Sequence, residues 1–293
     1  MNISVIIPVY NKKDTIIECL SSVLNQTIGA FEVIIVNDGS TDNSNALIEE
    51  IISNYPTNNI IHIEQVNGGV SAARNKGIEV AQGSHLCFLD ADDIWDNNFI
   101  FRLKNLIKDY PLADMYSLHH RIRQGSKVLS VKAGVELGFT GYLDNFFQAS
   151  CRGSIVKSSK VCIRREVFSD KENLFPEGVV AGEDLYVWIK VALQGRVAFD
   201  NSVSCTVIQD EDDSRQARAD SVPYPLVYFS KKENNKNLSD SCKDYIALIG
   251  FKHFISDIIN KNYLNAIRRW RYLFRFSPLR ALIPFYLRYV ILK

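Results

Sequence analysis

Three carboxylates within four residues, Asp90, Asp92 and Asp93, follow directly on the apolar run Leu86-Cys87-Phe88-Leu89. Like charges repel and are costly to take out of water, so a cluster set where a buried strand stops calls for a cation. Aspartate oxygens suit a hard divalent ion, Mg2+ or Mn2+, that also takes water and substrate phosphate oxygens. On these residues alone a second reading stays open: Asp92 or Asp93 caps a helix beginning at Ile94-Trp95, where the helix dipole favours acid. Another acidic pair, Glu183-Asp184, follows Gly182 about ninety residues later and opens the apolar stretch Leu185 to Ile189. There too, acid at a helix N-terminus is the non-catalytic reading.

The elements that must carry these side chains alternate over the first hundred residues. Strands are predicted at Ile3–Tyr10, Phe31–Val36, Ile60–Ile63 and His85–Leu89, where β-branched or apolar runs end at turn-forming residues. Between them, Lys13–Asn25 carries Ile16, Ile17, Leu20, Val23 and Leu24 at helical spacing, and Ser44–Tyr55 and Gly69–Gln82 are predicted helices. Strands alternating with helices predict an α/β fold with a mostly parallel sheet covered on both faces. In such sheets ligands gather beyond the carboxyl ends of the strands. Those ends read Pro8-Val9-Tyr10-Asn11, then Asn37-Asp38-Gly39-Ser40-Thr41-Asp42, then Asn67-Gly68-Gly69 running to Arg74-Asn75, and finally Asp90-Ala91-Asp92-Asp93.

This set, on Ser4–Asn11, Val36–Asp42, Gly68–Asn75 and Phe88–Asp93, resembles the family 2 glycosyltransferases, which have the GT-A (Rossmann-like) fold. The resemblance covers residues 1–100 closely and later positions more loosely. It implies that Asp38 accepts a hydrogen bond from a uracil ring, with Pro8 and Tyr10 walling the base pocket; an ordinary turn at Asp38 and a strand-ending proline are the alternatives. Asn67 and Gly68 lead a loop whose backbone N–H groups could meet an anion at a helix N-terminus. Arg74 would contact diphosphate or orient an aspartate, against the alternative of a solvated surface arginine. Asp92 would be the principal metal ligand, Asp90 would contact sugar or ribose, and Asp93 could cap the next helix. Gly182-Glu183-Asp184 matches the acceptor-activating motif of the inverting members, with Asp184 as base and Glu183 orienting it or merely neighbouring it. Inversion needs one carboxylate to take the acceptor hydroxyl proton. Ser214 and Arg215 match, by position only, the pair in a loop that closes over the diphosphate. That loop lacks the histidine some relatives carry, and its acidic run Asp210 to Asp213 is unusual.

Beyond residue 100 a helix at Asn98–Tyr110, a strand at Met115–His120 and a strand at Phe199–Ile208 are predicted, with hairpins or loops over Gln124–Gly141 that would build the acceptor side. His119-His120 have no partners at ligand spacing and read as strand residues. Residues 230–243 are polar and form a linker candidate. Thus residues 1–229 are the expected catalytic domain (1–100 nucleotide-binding, 101–229 acceptor half), and 230–293 a basic amphipathic helical tail. The total charge is +1, yet Lys252 to Lys293 holds nine Lys/Arg against Asp257, a balance of +8 that leaves −7 for the rest. Nucleic acid is therefore not an expected partner.

Six cysteines are scattered without a Cys-x-x-Cys pair, Ile3–Ile7 lacks a basic flank, and no apolar run reaches 18 residues. A reduced, cytoplasmic chain is expected, peripheral on the cytoplasmic face of the inner membrane or self-associating through its tail. The expected function is transfer from a nucleotide-sugar donor, UDP-linked, to a glycan or lipid-linked acceptor in bacterial surface polysaccharide assembly. The alternatives are a sugar nucleotidyltransferase, which the missing triphosphate loop after strand one disfavours, and a non-catalytic nucleotide-sugar-binding module.

Overall fold

The computed structural model describes residues 1–209 and 220–277. Its first half is the predicted alternation: β1 (Ile3–Val9), α1 (Ile16–Leu24), β2 (Glu32–Asn37), α2 (Ser44–Asn54), β3 (Ile60–Glu64), α3 (Val70–Val80) and β4 (His85–Phe88). These strands pair in parallel in the order β3-β2-β1-β4. Every residue of β1 and β2 is buried, which is why both read as continuous β-branched runs rather than as alternating ones. Successive side chains leave a strand on opposite faces, so one stretch feeds two cores. Ile6, Ile34, Val36 and Phe88 join the core that holds Ala73 of α3. Val5, Ile7, Ile35 and Cys87 join the one that holds Ile16 and Leu20 of α1.

The second half extends the sheet with mixed polarity. It comprises β5 (Ile94–Trp95), α4 (Phe99–Asp109), β6 (Met115–Gln124), β7 (Lys127–Ser130), β8 (Thr140–Tyr142), α5 (Phe146–Arg152), β9 (Val161–Arg164), α6 (Glu183–Gln194) and β10 (Val197–Ile208). β9 inserts antiparallel between β4 and β6, β10 runs parallel to β6, and β5 pairs antiparallel with the end of β10. Ile94-Trp95 is thus a strand, and the helix cap expected at Asp92 or Asp93 does not form. The Asp93 amide instead closes a turn on the Asp90 carbonyl (2.9 Å), and the next helix starts only at Phe99. The apolar pair is recruited by the free edge of β10, a long-range partner that local propensity does not see.

Among the described residues four helices follow: α7 (Tyr224–Phe229), α8 (Lys232–Asn235), α9 (Asp240–Ile259) and α10 (Tyr263–Phe276). The expected linker at 230–243 is therefore partly helical. Ser239 caps α9 by accepting from the Cys242 amide, and Cys242 is fully buried. Tyr245 packs on Phe146 and Phe147 of α5, within the same core as Phe88 and Trp188. A buried ion pair, Arg269 to Asp257 at 2.5 Å, joins α10 to α9. Arg269 also donates to the Ser221 carbonyl (2.8 Å), so its charge is taken out of water with partners in place.

Candidate active site

The acidic cluster at the end of β4 is resolved by the protein itself, one carboxylate at a time. Asp93 turns inward, 2% exposed, where the Ser159 hydroxyl and the Ile208 amide (2.8 Å) donate to it. Burial, and then the neighbouring Asp90 and Asp92, push its carboxyl up to about 7, against the pull of those two hydrogen bonds. Asp90 meets Arg74 at 2.8 Å and Asp92 meets the Lys12 ammonium at 2.7 Å. The side chains of Asp90 and Asp92 stay 33% and 25% exposed, so these two, and not Asp93, face the open end of the sheet.

Arg74 excludes the surface reading. It is 3% exposed, lies over the Phe175 ring at 5.1 Å, and bridges three groups: Asp90, Glu183 (3.0 Å) and the Ser158 hydroxyl (3.3 Å). Burial works against its charge, but Asp90, Glu183 and Asp184 together hold the guanidinium more firmly protonated than usual. Glu183 is 8% exposed; burial and then Asp184 raise its carboxyl while Arg74 opposes them. Asp184 is half-buried: its Oδ2 accepts from Ser158 (3.1 Å) and its Oδ1 from the Leu185 amide (2.7 Å). Gly182 precedes the pair at φ 78°, a left-handed turn where a Cβ would come within 3.0 Å of Pro225. That turn aims the first residues of α6 at Arg74.

Two residues absent from the sequence-derived site thus join its halves. Ser158 reaches Arg74 and Asp184, while Ser159 reaches Asp93 and accepts from the Asp90 amide (3.2 Å). Both sit in a 3-10 turn, Ser158–Lys160, entering β9. The only sequence signal was a run of small hydroxyls before an apolar strand. Lys12 was equally illegible, since its partner lies 80 residues away.

Asp38, 2% exposed, accepts from Gln65 Nε2 (2.7 Å) and from the Gly68 and Gly69 amides (2.9 and 2.8 Å). Three of a carboxylate's roughly four acceptor directions are therefore filled by the glycine loop. Asn67 and Gly68 are exposed on that loop. Pro8 is buried inside β1, and Tyr10 stands 47% exposed beyond it. Asn11, at φ 51°, accepts from the Thr41 amide (2.8 Å) and so fastens the end of β1 to the loop after β2. His119 and His120 are buried in β6, as strand residues. Among the described residues, one group of three metal-type side chains has its ligand atoms within 4.8 Å of one another: Glu49, His62 and Glu64, on α2 and β3. Arg215 lies outside the described residues.

Residues 4–158 match the profile of Glycosyl transferase family 2. The chain belongs to this family. A Rickettsia bellii protein described as an uncharacterized glycosyltransferase is 34% identical over 191 residues, 65% of this chain. The aligned part spans only 26% of that relative's length. Among solved structures, Staphylococcus aureus TarS 1-349 in complex with UDP-GlcNAc superimposes with a TM-score of 0.75 at 19% identity, covering 96% of this chain and 83% of its own. The mannosyltransferase PcManGT from Pyrobaculum calidifontis, in complex with GDP-Man and Mn2+, gives 0.62 at 16% identity, covering 95% and 86%. Both likenesses establish the GT-A fold, with the C-terminal helices within the region covered.

Proposed function

We propose that this chain is the catalytic part of an inverting, metal-dependent glycosyltransferase that moves a sugar from a UDP-linked donor to a glycan or lipid-linked acceptor in surface polysaccharide assembly. The observation that carries this reading is the Arg74–Ser158 link. One guanidinium and one hydroxyl tie the Asp90-Ala91-Asp92 end of β4 to Glu183-Asp184, so donor-side and acceptor-side carboxylates form a single unit. Within that unit Glu183 is buried against Arg74, and Asp184 stays only half-buried.

Asp184 serves as the general base. It takes the proton of the acceptor hydroxyl as that oxygen attacks the anomeric carbon, the bond to the nucleoside diphosphate breaks on the opposite face, and the configuration inverts. Ser158 holds Asp184 by donating to its Oδ2, and Glu183 anchors the start of α6 on Arg74. Asp90 and Asp92 are hard oxygen donors left partly open, and the Lys12 ammonium on Asp92 marks a position that attracts positive charge, so the residues fit a divalent ion with Asp92 as ligand. When bound, Mg2+ or Mn2+ would supply charge to the departing diphosphate. Pro8, Tyr10, Asn67 and Gly68 frame the nucleotide side, and a base reaching Asp38 must displace Gln65 or part of the glycine loop. The family assignment sets the nucleotidyltransferase reading aside.

The acceptor side favours a membrane surface. On the helical period Tyr263, Ile267, Trp270 and Phe274 share one face of α10, 39–58% exposed, and the exposed Arg268, Arg271 and Arg275 border it. Among the described residues no helix is long and apolar enough to cross a membrane. We read α10 as docking in the plane of an anionic bilayer, on its cytoplasmic face. The whole reading is tested by Asp184→Asn, which keeps UDP binding while slowing transfer by roughly 10²–10⁴. Transfer at the wild-type rate would place the base elsewhere.

A further inference from the structure

The parallel half of the sheet ends at β3, and the side of this edge strand that faces α2 carries a second set of ligand-type side chains. Alternation sorts the strand. Ile61 and Ile63 pack on the core that holds Ala73 of α3, so His62 and Glu64 share the opposite face with Ile60. α2 covers that face, and its Asn45 and Glu49, one helical turn apart, come down beside Glu64 and His62.

One ring nitrogen of His62 and one carboxylate oxygen from each of Glu49 and Glu64 lie within 4.8 Å of one another. Ligand atoms around a tetrahedral zinc ion stand about 3.4 Å apart, from metal bonds of about 2.0–2.1 Å. Both glutamates are exposed, and a small side-chain rotation closes that difference.

Two observations set this group apart from an ordinary acidic surface. Among the described residues no lysine or arginine pairs with Glu49 or Glu64, so two like charges stand together without a cation. His62, for its part, is half-buried, and its Nε2 is sealed from solvent without a hydrogen-bond partner. A sealed polar atom left unpaired is costly. Burial also lowers the ring's pKa although Glu64 and Glu49 pull it upward, so the imidazole is neutral at neutral pH, the form that binds metal.

The carboxylate of Glu64 is held from behind. Asn45 Nδ2 donates to its Oε1 (3.2 Å), Asn37 Nδ2 donates to Asn45 Oδ1 (2.9 Å), and the Ser40 amide donates to Asn37 Oδ1 (3.1 Å). Outer hydrogen bonds of this kind orient a ligating group. They also join Glu64 to the loop that carries Asp38. The imidazole selects the ion: Mg2+ and Mn2+ prefer all-oxygen sites such as Asp90 and Asp92, whereas one nitrogen with two carboxylate oxygens suits Zn2+.

We propose that Glu49, His62 and Glu64 bind a Zn2+ ion, with water completing its shell, and that this ion fastens α2 to the edge strand β3. The site is separate from the carboxylates after β4 and does not depend on the reading of Asp184.

The test is a Zn2+ titration of the full chain in competition with a chromophoric chelator, with excess Mg2+ present to occupy the carboxylates after β4. Wild type is expected to hold one Zn2+, and Asp92→Ala to hold it equally well. His62→Gln, and separately Glu49→Gln/Glu64→Gln, should each weaken binding by at least about tenfold, since even contacts that only orient a ligand are worth that much. Zn2+ should also raise the melting temperature of wild type, by mass action on the folded chain, and leave that of the two variants unchanged. All three side chains reach the surface, so the variants should melt with wild type in EDTA, which checks their fold. If wild type holds no Zn2+ against Mg2+, or the His62 and glutamate variants hold it as tightly, this group is not a zinc site. Loss of the ion in Asp92→Ala would assign it to the carboxylates after β4 and equally overturn the proposal.

Discussion

Replacing Arg74 by methionine removes the cation that joins the two acidic ends of the site while keeping an unbranched side chain in α3. The guanidinium is 3% exposed and its two carboxylate partners are unequal: the Asp90 side chain is 33% exposed, that of Glu183 only 10%. Water screens the first partner, so its loss counts for little. Stranding the second should cost about 3–5 kcal/mol, the usual range for breaking a buried pair, which lowers the melting temperature by on the order of 10 °C in a chain of this size. The loss should depend on pH. Glu183 is raised by burial and by Asp184, with Arg74 opposing, so the variant raises it further. A carboxyl whose folded pKa lies above its unfolded value of 4.5 binds its proton more tightly when folded. Its stabilisation is therefore complete below that value and is lost as pH rises through the folded pKa. Wild type and variant should then lie closest near pH 4.5 and diverge toward neutrality. Thermal unfolding followed by circular dichroism over that range measures the gap, and Glu183→Gln in the variant background should restore much of it. A cost under about 1 kcal/mol, the scale of exposed pairs, or a gap independent of pH, would refute the buried-link argument.

Three further outcomes are expected. UDP affinity measured with Mn2+ should exceed that in EDTA, and Asp92→Ala should remove most of the difference; equal affinities in wild type would end the metal reading. Lys160 is fully buried, and burial brings its ammonium down to about 7 from 10.5, so the unfolded chain binds more protons between those values. Stability relative to Lys160→Met should consequently rise between pH 7 and 9.5, by up to about 1.4 kcal/mol per unit, and identical melting differences at both pH values would disprove it. Flotation with anionic liposomes should carry the full chain and lose Leu264→Asp/Ile267→Asp, with both residues exposed on α10. If wild type stays at the bottom, or the double variant floats with it, α10 meets a protein surface instead.

The sequence by itself determined the elements of the first hundred residues and the strand ends where chemistry gathers. Periodicity and turn residues are local properties, and Ile3–Val9 or Glu32–Asn37 need no distant partner to be read as strands. It also determined the family, because four short motifs fall in order along one sheet edge. Which carboxylate does what was decided only in three dimensions. Asp90, Asp92 and Asp93 are alike in sequence. The fold sends one to Arg74, one to Lys12 and one inward to Ser159 and Ile208, with partners up to 115 residues away. The same holds for Ile94-Trp95, where the free edge of β10 overrode a local helix-cap signal. Ser158 and Ser159 carried no periodicity at all. Their importance is purely one of position, since a hydroxyl acquires its role from the charges that the folded chain brings within hydrogen-bond distance.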